Sequence, residues 1–331
     1  MANTLQTGLR GRSPHWGGTR LLAWSAMVVL GIAALAALAL YRDGGFVHPG
    51  AVSIATVVDA ELDTRAGATD DRVRPNDIGV ADAATVAPTS VRARFDASDD
   101  LYAYVQSLEA AVRENDADAI WMVSRVYDYC SSFAMAPAAY DRDTRAIGEM
   151  NMRGSPAMVA ARQRVGQRCS RFVPQDEITP RLVFLKRMEA AQAGSLAAEA
   201  SLLASGAPLQ ETAEYKRDLV QRVQRSGDAE AYSALSPGMG IAASGQPALA
   251  DQVAGTQFAE LAWQLAACRL GLDCGPNGAL MTSYCANGGI CSRDPQQDFE
   301  RFVFDAAVPR QGAEVINEMI DSLMREKRTK Q

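Results

Sequence analysis

Apolar positions fall along the chain in three regimes. From Leu21 to Tyr41 twenty-one residues pass without a charge (LLAWSAMVVLGIAALAALALY), about the length a helix needs to cross a hydrocarbon layer of roughly 30 Å. Residues 43 to about 94 carry Gly44, Gly45, Pro49, Pro75 and Pro88 among many Ala, Asp, Thr and Val, with no sustained apolar period. That pattern predicts a flexible tether. From Asp99 the period turns helical: Leu101, Val105, Leu108 and Val112 share a stripe at i, i+4, i+7 and i+11. No alternating strand pattern follows. The chain thus reads as a tail (1–20), a span (21–41), a linker (42–94) and an all-α domain (95–331).

Within the domain, Ser155-Pro156 and Thr179-Pro180 each place a hydroxyl N-cap before a proline at the first helical position. They predict helices near 156–170 and 180–193, the second with Leu182, Leu185 and Met188 in register. Phe299, Phe302 and Val303 continue a helical face. Val315, Ile316, Met319, Ile320, Leu323 and Met324 make an amphipathic C-terminal helix, whose negative dipole end suits the basic residues Arg325, Lys327, Arg328 and Lys330.

A short pattern recurs: Asn115-Asp116-Ala117-Asp118-Ala119, Gly194-Ser195-Leu196-Ala197-Ala198, Gly227-Asp228-Ala229-Glu230-Ala231 and Gly255-Thr256-Gln257-Phe258-Ala259. In each, a Gly or Asn able to take positive φ ends one helix and the next residue caps another. The alanine (Ala119, Ala198, Ala231, Ala259) then lets two helices approach closely. Successive copies are 79, 33 and 28 residues apart, so the first gap has room for two units. Val123, Val126 and Tyr127 follow the first copy at helical intervals, and Ala262, Trp263 and Ala266 the last. Four unrelated helix–turn–helix junctions in an alanine-rich chain are the other reading of the same residues.

The Gly-Asp-x-x-Ala junction resembles that of Sel1-like repeats, relatives of the tetratricopeptide repeat, most clearly at Gly227–Ala231 and Asn115–Ala119. The resemblance covers at most residues 99–270. It departs from the family in spacing, in the missing Leu, Tyr and Gly positions and in its cysteines. It implies stacked helical hairpins, as an irregular α-solenoid or a helical bundle, and a non-enzymatic interaction scaffold of the kind found in bacterial envelopes.

Charge sets the expected topology. Arg10, Arg12 and Arg20 precede the span while only Arg42 closely follows it, which leaves the N-terminus in the cytoplasm of a bacterial inner membrane and exports the rest. Trp24 and Tyr41 suit the two interfaces. The alternative is a signal peptide cleaved after Ala36 or Ala39, where Ala34-Leu35-Ala36 and Ala37-Leu38-Ala39 offer small-x-small sites. A net charge of −6 and a pI near 5.2 provide no basic surface for nucleic acid. The expected partners are the lipid bilayer, through residues 21–41, and a protein or peptide of the cell envelope.

All six cysteines (Cys130, Cys169, Cys268, Cys274, Cys285, Cys291) lie in the exported part, where disulfides persist. Those of segment 268–291 are spaced five, ten and five residues apart. Zinc ligand pairs are usually two to four apart and often include histidine, so no metal and no cofactor is expected. Three pairings are open. The crossed one, Cys268 with Cys285 and Cys274 with Cys291, would staple the helix end at Trp263–Cys268 to the next helix, leaving Cys130 and Cys169 to pair.

The only histidines, His15 and His48, precede the domain, so a Ser-His or Cys-His nucleophile has no base there. No phosphate loop, HExxH or EF-hand pattern occurs, and no CxxC supports a redox pair. A glycan-cleaving enzyme needs only two carboxylates about a cleft, and Glu109, Asp128, Glu149, Glu189 and Glu199 are its candidates. With 39 acids in the chain, each reads equally as a solvated or capping group. Trp121, Tyr127, Tyr129 and Trp263 either line a concave peptide-binding surface or fill the core between helices.

Overall fold

A computed structural model describes residues 90–328, with side chains to Arg325. The expected span, its cleavage sites and linker residues 42–89 lie outside the described residues. Within them there are thirteen α-helices and no strand, and no helix is long and apolar enough to cross a membrane. The helices are α1 (Val91–Ala97), α2 (Leu101–Arg113), α3 (Ala117–Ala134), α4 (Pro137–Glu149), α5 (Ser155–Arg168), α6 (Pro180–Gln192) and α7 (Leu196–Ala204). They continue with α8 (Ala213–Ser226), α9 (Ala229–Met239), α10 (Gln257–Arg269), α11 (Ala279–Ala286), α12 (Phe299–Ala306) and α13 (Ala313–Arg328).

Neighbouring pairs run α2–α3, α3–α6, α6–α7, α7–α9, α9–α10 and α10–α13, with α8 against α7 and α13. The hairpin α4–α5 lies to one side, where α5 packs on α3 and α11. It fills the 79-residue gap between the first two junctions with one hairpin of its own.

The junctions have a common geometry. At Asn115 (φ 60°) and Gly194 (φ 102°) the left-handed residue closes the preceding helix. The amide after it donates back to Ala111 O and Ala190 O respectively, at 2.9 Å each. That same residue, Asp116 or Ser195, then caps the next helix through Ala119 N or Ala198 N. One residue thus ends one helix and starts another, which makes the turn short. Gly227 (φ 61°) likewise ends α8 and Asp228 caps α9 by accepting from Glu230 N, but here the Asp228 amide donates to the Ser226 hydroxyl. Thr256 caps α10 through Ala259 N, but no helix ends at Gly255. The amide of Gly255 donates to Met239 O at the end of α9, so the fourth copy starts a helix without closing a hairpin. All four alanines are buried.

Four local expectations need correction. Helix α1 begins at Val91, capped by Ser90, inside the segment assigned to the tether. Ser155 does not cap α5: Gly154 holds that position, and the buried Ser155 hydroxyl has no hydrogen-bond partner among the described residues. In α6 the buried face is Val183, Ala190 and Ala191, while Leu185 is 50% exposed, because the helix turns toward both α3 and α7.

The fourth concerns the cysteines. The structure pairs Cys130 with Cys169, Cys268 with Cys274 and Cys285 with Cys291, and the crossed arrangement does not form. After α10 the chain reverses at Gly271 (φ 99°), whose amide donates to Cys268 O while that of Leu272 donates to Ala267 O. This helix-ending turn brings Cys274 back to its own helix, 5.6 Å between Cα atoms. Gly289 (φ 69°) does the same for Cys285 and Cys291, 4.4 Å apart. Five intervening residues are the length of one such reversal.

Candidate functional site

Two short helices and one long one frame a cleft with a cavity of about 180 Å³. One wall is Phe95 and Asp96 of α1 with Arg125, Asp128 and Tyr129 of α3, the last three at i, i+3 and i+4 on one face. The facing wall is Leu272 and Asp273 from the loop after α10, with Leu280, Ser283 and Asn287 along α11. Each disulfide adjoins a wall. Cys130 follows Tyr129, Cys274 follows Asp273, and Cys285 lies between Ser283 and Asn287.

The Cys130–Cys169 bond also positions α1. Arg168, next to Cys169, donates from Nε to Ser98 O at 2.9 Å and from Nη2 to Phe95 O at 2.6 Å. A guanidinium thereby adds donors to carbonyls at the negative end of α1, where Phe95 O also accepts the Ser98 amide. Its planar group lies 5.1 Å from the centroids of both Phe95 and Tyr129. Across the cleft, Asp273 Oδ1 accepts the Gly275 amide at 3.0 Å. A Cβ at Gly278 would come within 2.9 Å of Asp273, so this loop requires glycine there.

The charges are unevenly compensated. Asp128 pairs with Arg187 at 2.7 Å. Arg125 Nε lies 3.2 Å from Glu230 Oε2, an ion pair without the alignment of a hydrogen bond. The same buried carboxylate accepts the Trp121 indole N–H at 3.2 Å. Asp96 and Asp273 have no ion pair among the described residues. Burial pushes the Asp96 carboxyl up to about 6, reinforced by the negative charges of Asp273 and Glu230 and opposed by Arg92 and Arg125.

Behind Glu230 a second cavity of about 260 Å³ opens where the first turns of α3, α7 and α9 converge. Arg92, Asp118, Trp121, Ala197, Asp228 and Glu230 line it. Burial raises the carboxyls of Asp118 and Asp228; Asp116 adds to the first and Glu230 to the second. Glu230 thus lines the second cavity and is tied to the first through its ion pair with Arg125.

The structure distributes the predicted site residues differently from a single groove. Trp121, Tyr129 and Trp263 are core residues, and Tyr127 is half-buried with its ring edge-on to Phe172. Trp263 is wholly enclosed and donates to Val253 O, so the expected aromatic surface does not form. Of the five candidate carboxylates only Asp128 reaches the cleft between α1, α3 and α11. Glu109 pairs with Arg113 and Glu189 with Lys186. Glu199 takes two bonds from Arg222 and one from Tyr215, and Glu149 is exposed at the end of α4. Asp96, Asp273 and Glu230 were not among the candidates. Among the described residues no group of three or more His, Cys, Asp or Glu side chains is placed to hold a metal ion.

No known protein family, curated protein or solved structure matches the chain.

Proposed function

We propose that this protein is a membrane-anchored recognition module of the cell envelope, whose exported helical domain binds a segment of another protein or a peptide in the disulfide-framed cleft. The carrying observation is that each of the three disulfides has a cysteine within two residues, along the chain, of a residue that lines one polar cleft. Elsewhere the cysteines could have braced any helix pair; here they hold the loop of Asp273, the C-terminal end of α11 and the clamp on α1. Three closed disulfides and no free cysteine among the described residues favour an oxidising compartment, in keeping with the uncharged run Leu21–Tyr41 and its flanking arginines. The Sel1-like junctions support the same scaffold reading.

A photo-crosslinking residue at Asn287, exposed on the cleft wall, tests this in intact cells. The same probe at Gln221 of α8, which lines neither cavity, is the control. A discrete protein adduct at Asn287 and none at Gln221 is expected; matching patterns at both positions would overturn the proposal.

A carboxylate-dependent enzyme acting on an envelope polymer is the second reading, favoured by one observation: the raised Asp96 carboxyl faces the same cleft as Asp273. Such a pair has the character of a general acid and its partner. Release of reducing ends from purified envelope glycan, lost in Asp96→Asn, would move the assignment to this class.

A further inference from the structure

We propose that the cleft between α1, α3 and α11 receives a cationic side chain, a lysine or arginine of a bound polypeptide, against the carboxylates of Asp96 and Asp273. The inference rests on the recognition reading above and names what the cleft selects. Four groups supply the ledger of charge. Arg125 is balanced by Glu230 and Asp128 by Arg187, which leaves Asp96 and Asp273 facing one cavity with no cation bonded to either among the described residues. Arg92, one turn before Asp96 on α1, contributes its field but lies beyond ion-pair distance.

A second feature points to a ligand. Tyr129 is 6% exposed overall and lines the same cavity; its hydroxyl makes no hydrogen bond within the described residues and keeps contact with solvent, so it is open to a donor that enters the cleft. Ser283 and Asn287 add acceptors on the facing wall, and an ammonium with three donors or a guanidinium with five can use several such oxygens at once.

Volume limits the ligand. A cavity of about 180 Å³ is below the roughly 300–1,000 Å³ that encloses a whole drug-sized molecule. It accommodates one side chain of something larger. The apolar surfaces of Phe95, Leu272 and Leu280 suit the methylene stem of a lysine or arginine whose charged end reaches the carboxylates.

The full-length protein in nanodiscs is titrated with fluorophore-labelled Ala-Ala-Lys-Ala-Ala and with the same peptide carrying norleucine in place of lysine. The lysine peptide should bind about tenfold more tightly, the factor expected from a charge-assisted contact in a half-enclosed site. Asp96→Asn and Asp273→Asn should each erase most of that preference. Asparagine at 273 keeps the oxygen that accepts the Gly275 amide, so the loop is retained, and Asp96→Asn stands alone if that variant misfolds. Equal binding of both peptides, or of neither, overturns the inference. An intact adduct at Asn287 in that case preserves the recognition reading, and loss of the adduct removes both. Spermidine displacing the lysine peptide while itself binding far more tightly would contradict a polypeptide as the source of the cation.

Discussion

At the residue scale the informative group is Asp96. Its carboxyl is held above the ordinary range by burial and by Asp273 and Glu230, so the folded protein holds a proton there that the unfolded chain releases near pH 4. As pH rises from about 4 to 6, folding therefore loses stability through this group, and above 6 it carries an uncompensated charge. Asp96→Asn should unfold at a higher temperature than wild type at pH 7.5, and the difference should vanish near pH 4. A variant less stable at pH 7.5 would show that Asp96 has a structural partner. The same titration bears on binding: a cation should be held more weakly at pH 5 than at pH 7.5.

Capping at the junctions was legible residue by residue, because positive φ and a side-chain acceptor are demands on a single position. Asp116→Ala should cost about 1 kcal/mol by removing the acceptor for Ala119 N, measured by denaturant unfolding. Asp96 was not legible. Seven residues of α1 are too few to show a helical period, and the clamp by Arg168 that supports the segment is a tertiary contact. Asp273 was hidden likewise, since its meaning depends on a disulfide loop folding back on α10.

At the scale of elements, the disulfides act on different parts of the cleft. In the chain-entropy model Cys130–Cys169, across 39 residues, is worth about 4 kcal/mol, and each short loop about 2 kcal/mol. Replacing Cys130 and Cys169 with serine should therefore lower stability more than replacing Cys268 and Cys274. It should also speed amide exchange in α1, whose clamp residue adjoins Cys169. Exchange in α1 unchanged by the double substitution would count against that coupling. The period of α2 and the proline start of α6 were readable because they are local, and Thr179 caps α6 through Leu182 N. The face of α6 was not, because a helix touched by both α3 and α7 has no single buried stripe. Pairing of the last four cysteines turned on Gly271 and Gly289, whose left-handed turns make sequence neighbours into spatial ones.

At the scale of the molecule, helices laid in succession place Glu230 on the wall of one acidic cavity and link it, through Arg125, to the other. Helical class was evident from apolar spacing alone. The cleft was not, since it unites α1 and α3 with the loop after α10 and α11, which follow them by more than a hundred residues. Its frame depends on disulfides, and disulfides persist in an oxidising compartment. The most direct measurement is therefore peptide mapping of the full-length protein, alkylated in intact cells before purification. The account predicts three linked peptides, Cys130–Cys169, Cys268–Cys274 and Cys285–Cys291, with no cysteine alkylated until reductant is added. Six alkylated thiols in the unreduced protein would contradict it.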